Sequence, residues 1–187
     1  FDRQPGILPD ILARFFEQRS QAKAAGDDLA SFVYKILMNA CYGVLATGAC
    51  RFANNELVGA ITGFGHHFLT WVRDLLEQDG YHVLYGDTDS VFVVSGLSGD
   101  IDAETAHQEA AALCRRVNER LARYITEEYK VVSHLELEFE KYYRRFLLPS
   151  VRGRNNQGRA KGCAGLRVDT SGEHLEIIGM EAVRRDW

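Results

Sequence analysis

The spacing of apolar positions changes several times along this chain, and each change marks an element. Over residues 9 to 25, Ile11, Leu12, Phe15 and Phe16 recur at helical spacing. Pro9 suits a first turn and Gly26 follows the end, so a helix is expected there. Asp27 or Asp28 can cap a second helix reaching about Tyr42 and stopped by Gly43, with Leu29, Val33, Ile36, Leu37 and Ala40 as its buried face. Residues 44 to 54 read as irregular. A long helix from about Asn55 to Gln78 follows, carrying Leu57, Ile61, Phe64, Phe68, Trp71, Leu75 and Leu76. Gly59, Gly63 and Gly65 weaken it in isolation but allow close packing, and Gly80 ends it. The pattern then turns strand-like at Tyr81 to Leu84 and at Val91 to Val94. Asp102 can cap a further helix whose core side is Ala106, Leu113, Val117, Leu121 and Ile125. The last third is mostly β: a long strand over Leu135 to Leu148 with room for a bulge, a loop over 152 to 162, and short strands at Cys163 to Val168 and His174 to Gly179. There is no internal repeat. This order predicts an α+β fold, an antiparallel sheet backed by helices, with the first two helices protruding as a hairpin.

Between the two strand-like arms lies Tyr85-Gly86-Asp87-Thr88-Asp89-Ser90. Apolar arms joined by a Gly-Asp turn read as a β-hairpin. Its tip gathers two carboxylates and two hydroxyls, a donor set suited to a hard cation such as Mg²⁺. Gly, Asp and Ser are equally ordinary turn residues, so the hexapeptide by itself leaves both readings open. In the first helix Arg19 and Lys23 are four apart and project from one face. In the second, Lys35, Asn39 and Tyr42 fall within about 60° of one another. That face offers a cation, an amide and an aromatic ring. The three cations could converge on one polyphosphate, or they could line an ordinary solvated face.

Composition narrows the choice. The 187 residues are 46% hydrophobic and 11% aromatic, enough for a sizeable core. No apolar run approaches the ~20 residues a membrane span needs, and the start does not look like a signal peptide. Cys41, Cys50, Cys114 and Cys163 have no CxxC spacing, which suggests a reducing compartment rather than zinc. The pair His66-His67 lies within an apolar helical stretch and is read as structural. Net charge is −4, yet eight basic and no acidic residues lie from Lys141 to Arg167, leaving 14 basic against 26 acidic elsewhere. A basic track on an acidic body is compatible with phosphate binding beside a carboxylate site, or with a solvated Arg/Gly loop. Starting at Phe1 and ending at Trp187, the chain is expected to be an excerpt of a longer protein.

Two motifs carry a resemblance. Tyr85-Gly-Asp-Thr-Asp-Ser90 is similar to the palm hairpin motif of family B DNA polymerases. Lys35-Ile-Leu-Met-Asn39-Ala-Cys-Tyr42-Gly43 resembles that family's fingers-helix motif, and the two stand in the family's order. The resemblance covers the whole chain. It implies DNA-templated addition of dNTPs to a primer 3′-hydroxyl, with two Mg²⁺ ions in the complete enzyme. Residues 1–45 would be the fingers hairpin and 46–187 a partial palm. Asp89 and Asp87 would be metal ligands and catalytic, with Glu140 as an auxiliary carboxylate. Arg19, Lys23 and Lys35 would hold the triphosphate, and Asn39 and Tyr42 would line the nascent base pair. Thr88 would sit near the primer end, and Arg159 and Lys161 would contact the duplex. The implied partners are primer–template DNA, dNTPs, the remaining polymerase domains and a sliding clamp, in a bacterial cytoplasm at the nucleoid, with no membrane.

The sequence departs from the family pattern in two places. The family's other metal-binding aspartate belongs to an Asp-x-x-Ser-Leu-Tyr-Pro motif, and this chain has no such sequence. The Lys-Lys-Arg-Tyr-like run that reads the duplex minor groove is replaced by Ala160-Lys161-Gly162-Cys163. Half the metal cage is therefore expected to lie elsewhere, and the isolated chain is expected not to polymerise. The altered run keeps open a non-catalytic, DNA-binding relic of a polymerase. An Asp-x-Asp glycosyltransferase would also bind a metal and a diphosphate, but gives no reason for the Lys35 to Gly43 helix.

Overall fold

A computed structural model describes residues 6–99, 101–149, 162–169 and 171–179, without the side chains of Tyr85 and Asp87. The chain divides into two compact units, Phe1–His66 and His67–Trp187.

In the first unit, α1 (Ile7–Ala24) and α2 (Asp28–Leu45) form a helical hairpin. Gly26 makes the turn at φ +71°, a backbone region that glycine enters without penalty. Asp27 caps α2, its Oδ1 accepting from the Ala30 N–H at 2.9 Å. The shielded stripe of α1 is Leu8, Leu12, Phe15, Arg19 and Ala22, and that of α2 is Ser31, Tyr34, Met38, Cys41 and Leu45. Both stripes advance by three or four residues, and the Phe15 and Tyr34 rings meet at 6.1 Å.

This seam differs from the one expected. Leu29, Val33, Ile36 and Leu37 of α2 are exposed, as are Ile11 and Phe16 of α1. Almost every position of α2 is apolar or small, so spacing permits more than one buried stripe. The stripe facing α1 carries Ser31 and Cys41, whose small side chains let two helices approach closely. Nor does Gly43 stop the helix, which runs on to the buried Leu45. The long helix α3 (Asn55–Gln78) begins as expected; the Asn54 carboxamide oxygen accepts from the Leu57 N–H at 3.0 Å.

The second unit is built on the C-terminal half of α3 and on α4 (Ala103–Tyr129). Val72, Leu75 and Leu76 of α3 meet Val117, Leu121 and Ile125 of α4 in one core. The Asp102 cap holds: its Oδ1 accepts from the Thr105 N–H at 2.8 Å. His67 is structural, its Nε2 sharing hydrogen bonds with the hydroxyls of Tyr124 (2.9 Å) and Tyr129 (3.2 Å). Against this core lies an antiparallel hairpin, β1 (His82–Asp87) and β2 (Ser90–Val94). Val83, Val91 and Val93 face the helices. Strand alternation turns Phe92 to the opposite side.

A separate sheet contains β3 (Tyr142–Leu147), β4 (Cys163–Asp169) and β5 (Gly172–Ile178), in that order and antiparallel. It abuts the start of α4, where His107 Nε2 lies 3.1 Å from the Val168 carbonyl oxygen. The expected strand over 135–148 is shorter, and residues 131–141 take no regular form. Asn118 of α4 explains part of this. Its Oδ1 accepts from the Leu137 N–H and its Nδ2 donates to the Leu137 carbonyl, both at 2.8 Å. The side-chain amide thus occupies the two backbone groups that a neighbouring strand would have used. The bulge falls inside the true strand, between Tyr143 and Arg145.

Replacing Asn118 by Ala leaves the Leu137 N–H and carbonyl without these partners. We expect Asn118→Ala to lower unfolding stability by about 1–3 kcal/mol, read as a shifted urea midpoint at unchanged slope.

Candidate active site

The hairpin tip is tighter than the sequence suggests. Gly86 stays in β1, paired with Val91, and Asp87 pairs with Ser90, so the loop is Thr88 and Asp89 alone. A two-residue loop must bend the chain abruptly. Here Thr88 takes φ +53°, the left-handed region that a β-branched residue avoids. Such strain costs of order 1–3 kcal/mol and concentrates at functional sites. Asp87 ends the strand while Asp89 sits in the turn, so simple strand alternation does not relate the two positions. Asp89 is exposed, and the Ser90 hydroxyl donates to its Oδ1 over a long 3.4 Å. The Asp87 side chain lies outside the described part of the structure.

Glu140 is exposed in the extended segment just before β3 and makes no hydrogen bond or ion pair among the described residues. Among those residues, no group of three or more His, Cys, Asp and Glu side chains could hold a metal ion. The donor chemistry of Asp89 and Glu140 nevertheless suits Mg²⁺, since both offer hard oxygens not committed to strong partners.

In the first unit, the expected nucleotide ligands occupy two settings. Arg19 belongs to the helix seam, where its Nε is shielded from solvent without a hydrogen-bond partner. Lys23 lies one turn further on and is exposed. Lys35, Asn39 and Tyr42 each follow a seam residue by one position, after Tyr34, Met38 and Cys41. They form one exposed face of α2 beside the contact with α1, available to a ligand.

Arg159 and Lys161, expected at the duplex, lie outside the described residues, as do Arg152 and Arg154. The described basic residues are less free than composition implied. Lys141 pairs with Glu176 at 2.6 Å, Arg144 with Glu173, and Arg167 with Asp169 at 2.9 Å. Sequence reasoning missed these partners because two of them come from β5, beyond the basic stretch. The strand register brings Glu173 and Glu176 back alongside it.

Ser171, His174 and Asp169 cluster at the β4–β5 turn, a residue set also used in nucleophilic catalysis. The Ser171 hydroxyl is 2.8 Å from His174 Nε2 and 2.5 Å from Asp169 Oδ1, and Asp169 Oδ1 lies 3.4 Å from the same Nε2. A catalytic triad needs serine and aspartate on opposite ring nitrogens. Here both address one nitrogen, so the cluster is a turn network. Its hydrogen bonds from the Ser171 hydroxyl and amide hold the Asp169 carboxyl down at about 2.

The sequence profile of DNA polymerase family B matches residues 2–187, and the chain belongs to that family. It is 40% identical to DNA polymerase II of Escherichia coli over 187 residues, all of this chain and 23% of that protein. It is 32% identical to the DNA polymerase delta catalytic subunit of Glycine max, over 98% of this chain and 17% of that protein. A DNA polymerase from a Desulfurococcus strain is 29% identical, over 98% of this chain and 22% of the relative. The chain thus spans about a quarter or less of the length of these relatives.

Two outcomes test the local chemistry. Asn tolerates the left-handed region better than Thr. Thr88→Asn should therefore raise stability by about 1 kcal/mol, and an unchanged or lower urea midpoint contradicts the strain. For Asp169 the folded pKa lies below its ordinary value of 3.8. Its contribution to stability is complete above that value and is lost as pH falls towards about 2. A carboxyl-carbon NMR titration should show this low value, and Ser171→Ala should raise it.

Proposed function

We propose that this chain is the nucleotide-binding and central catalytic part of a template-directed DNA polymerase, which extends a primer 3′-hydroxyl with dNTPs. The observation that carries this reading is the strained two-residue tip presenting Asp89 in a chain of family B. Residues 1–45 act as the fingers hairpin and 46–187 as part of the palm, completed by further domains of a longer polypeptide. Exposed Leu29, Phe32 and Ile36 on α2 and Leu175 on β5 are apolar surface that such domains would cover.

In this reading Arg19, Lys23 and Lys35 bind the triphosphate. The guanidinium suits paired phosphate oxygens and the ammonium groups act as point charges. Asn39 and Tyr42, one and two turns along the same face, line the nascent base pair and favour a stacked, hydrogen-bonded geometry. Asp89 and Asp87 hold the metal with hard oxygen donors, and Glu140 supports them. Two Mg²⁺ ions, when bound, supply the positive charge that favours attack by the 3′-hydroxyl and stabilises the leaving pyrophosphate. Thr88 borders the primer end, while Arg159 and Lys161 contact the duplex backbone.

The substrates and partners proposed are primer–template DNA, dNTPs and a sliding clamp. Among the described residues no helix is long and apolar enough to cross a membrane. A bacterial nucleoid setting is the one we propose, in keeping with the E. coli relative.

In the full-length polymerase, Asp89→Asn should abolish primer extension while circular dichroism and melting temperature stay unchanged. Normal extension by that variant would sink the metal assignment. Residues 1–187 alone should not extend a primer, because the second half of the metal cage is supplied from elsewhere.

A further inference from the structure

The hairpin that carries Asp89 and the sheet that follows Glu140 are separate hydrogen-bonded sheets. An aromatic contact spans them. Phe92 of β2 stacks on Phe146 of β3, with centroids 4.9 Å apart and planes 19° apart. Phe146 in turn meets Tyr143 at 5.2 Å. In a regular strand residues three apart face opposite sides. The bulge between Tyr143 and Arg145 adds the residue that returns both rings to one face.

Both rings lie over Gly165 of β4. A Cβ built there would stand 2.8 Å from Tyr143 Cε1 and 3.1 Å from Phe146 Cδ2, so only glycine leaves room for the pair. Glu176 of β5 is the cross-strand partner of Gly165 and shares its face. Its Oε2 accepts from the Tyr143 hydroxyl at 2.7 Å, and its Oε1 from Lys141 Nζ at 2.6 Å. Burial, with Glu176 beside it, pushes the Tyr143 phenol up, so it remains a donor at every working pH. Lys141 is the residue next to Glu140.

We propose that Phe92, Phe146, Tyr143, Glu176 and Lys141 form a positioning chain that fixes the Asp89 hairpin against the strand entered from Glu140. The five are proposed as positioning residues, not catalytic ones. The chain acts through the placement of two carboxylates that arrive on different sheets, and it rests on the polymerase reading given above. A misplacement of the order of 1 Å at a reacting centre can cost ~100-fold in rate. An offset ring stack is directional and resists sliding, which a greasy aliphatic contact does not.

The test uses the full-length polymerase, with primer extension measured against dNTP and against Mg²⁺. Phe146→Leu and Phe92→Leu should each lower kcat by about 10-fold or more and raise the Mg²⁺ concentration for half-activity, with dNTP KM held within about twofold. Phe92→Tyr, which keeps the ring, should restore kcat. Hydrogen exchange in Phe146→Leu should quicken at the amides of β2, although the substitution lies on β3. Unchanged kcat in both leucine variants, with Asp89→Asn inactive, overturns the positioning role. So does a loss accompanied by faster exchange throughout α3 and α4, which marks general destabilisation. An active Asp89→Asn enzyme overturns the polymerase reading itself, and is thereby distinguished from failure of the positioning chain.

Discussion

The second unit depends on a division of labour between the two faces of one short hairpin. Val83, Val91 and Val93 press against the α3–α4 core around Leu121, while Phe92 points the other way to Phe146. Period-two alternation makes this division unavoidable once β2 lies against the helices. One face anchors the hairpin through apolar burial, which is strong but indifferent to sliding. The other face meets a flat ring, whose stacking fixes direction. A tip only two residues long then has little freedom left, and Thr88 accepts the left-handed backbone that the tight loop imposes.

Around that hairpin, polar side chains do work that regular structure leaves undone. Asn118 captures both backbone groups of Leu137 and steadies a segment with no strand partner. Glu176 gathers Lys141 and Tyr143. Asp169 ties the β4–β5 turn to Ser171 and Arg167. Each group sits at the edge of the core, partly open to solvent, where ion pairs contribute modestly to stability and geometry matters more than energy.

The helical hairpin of the first unit shows a different logic. Its seam uses a stripe containing Ser31 and Cys41, and leaves larger apolar side chains outside. Arg19 enters the seam and keeps one shielded nitrogen unpartnered. Lys35, Asn39 and Tyr42 stand just beside it. Their common face comes directly from the 3.6-residue turn, because positions i, i+4 and i+7 return to nearly the same azimuth.

The sequence by itself determined the element order and the long helices, and offered Asp27 or Asp28, and Asp102, as caps. Asp27 and Asp102 bond the amide three residues on, and that depends only on local backbone geometry. Two motifs in family order also determined the family, because they specify chemistry rather than packing. Tertiary structure decided which stripe of α2 is buried, since a mostly apolar helix permits more than one. It decided that Gly43 lies within the helix, because burial of Leu45 outweighs the local cost of glycine. It delayed the start of the expected long strand to Tyr142, in part through an asparagine nineteen residues away from Leu137 in sequence. It also committed three cations of the basic stretch to acidic partners, two of them on a later strand. The Phe92–Phe146 stack belongs to the same class. It joins residues far apart in sequence on two different sheets, and no local pattern encodes a contact of that kind.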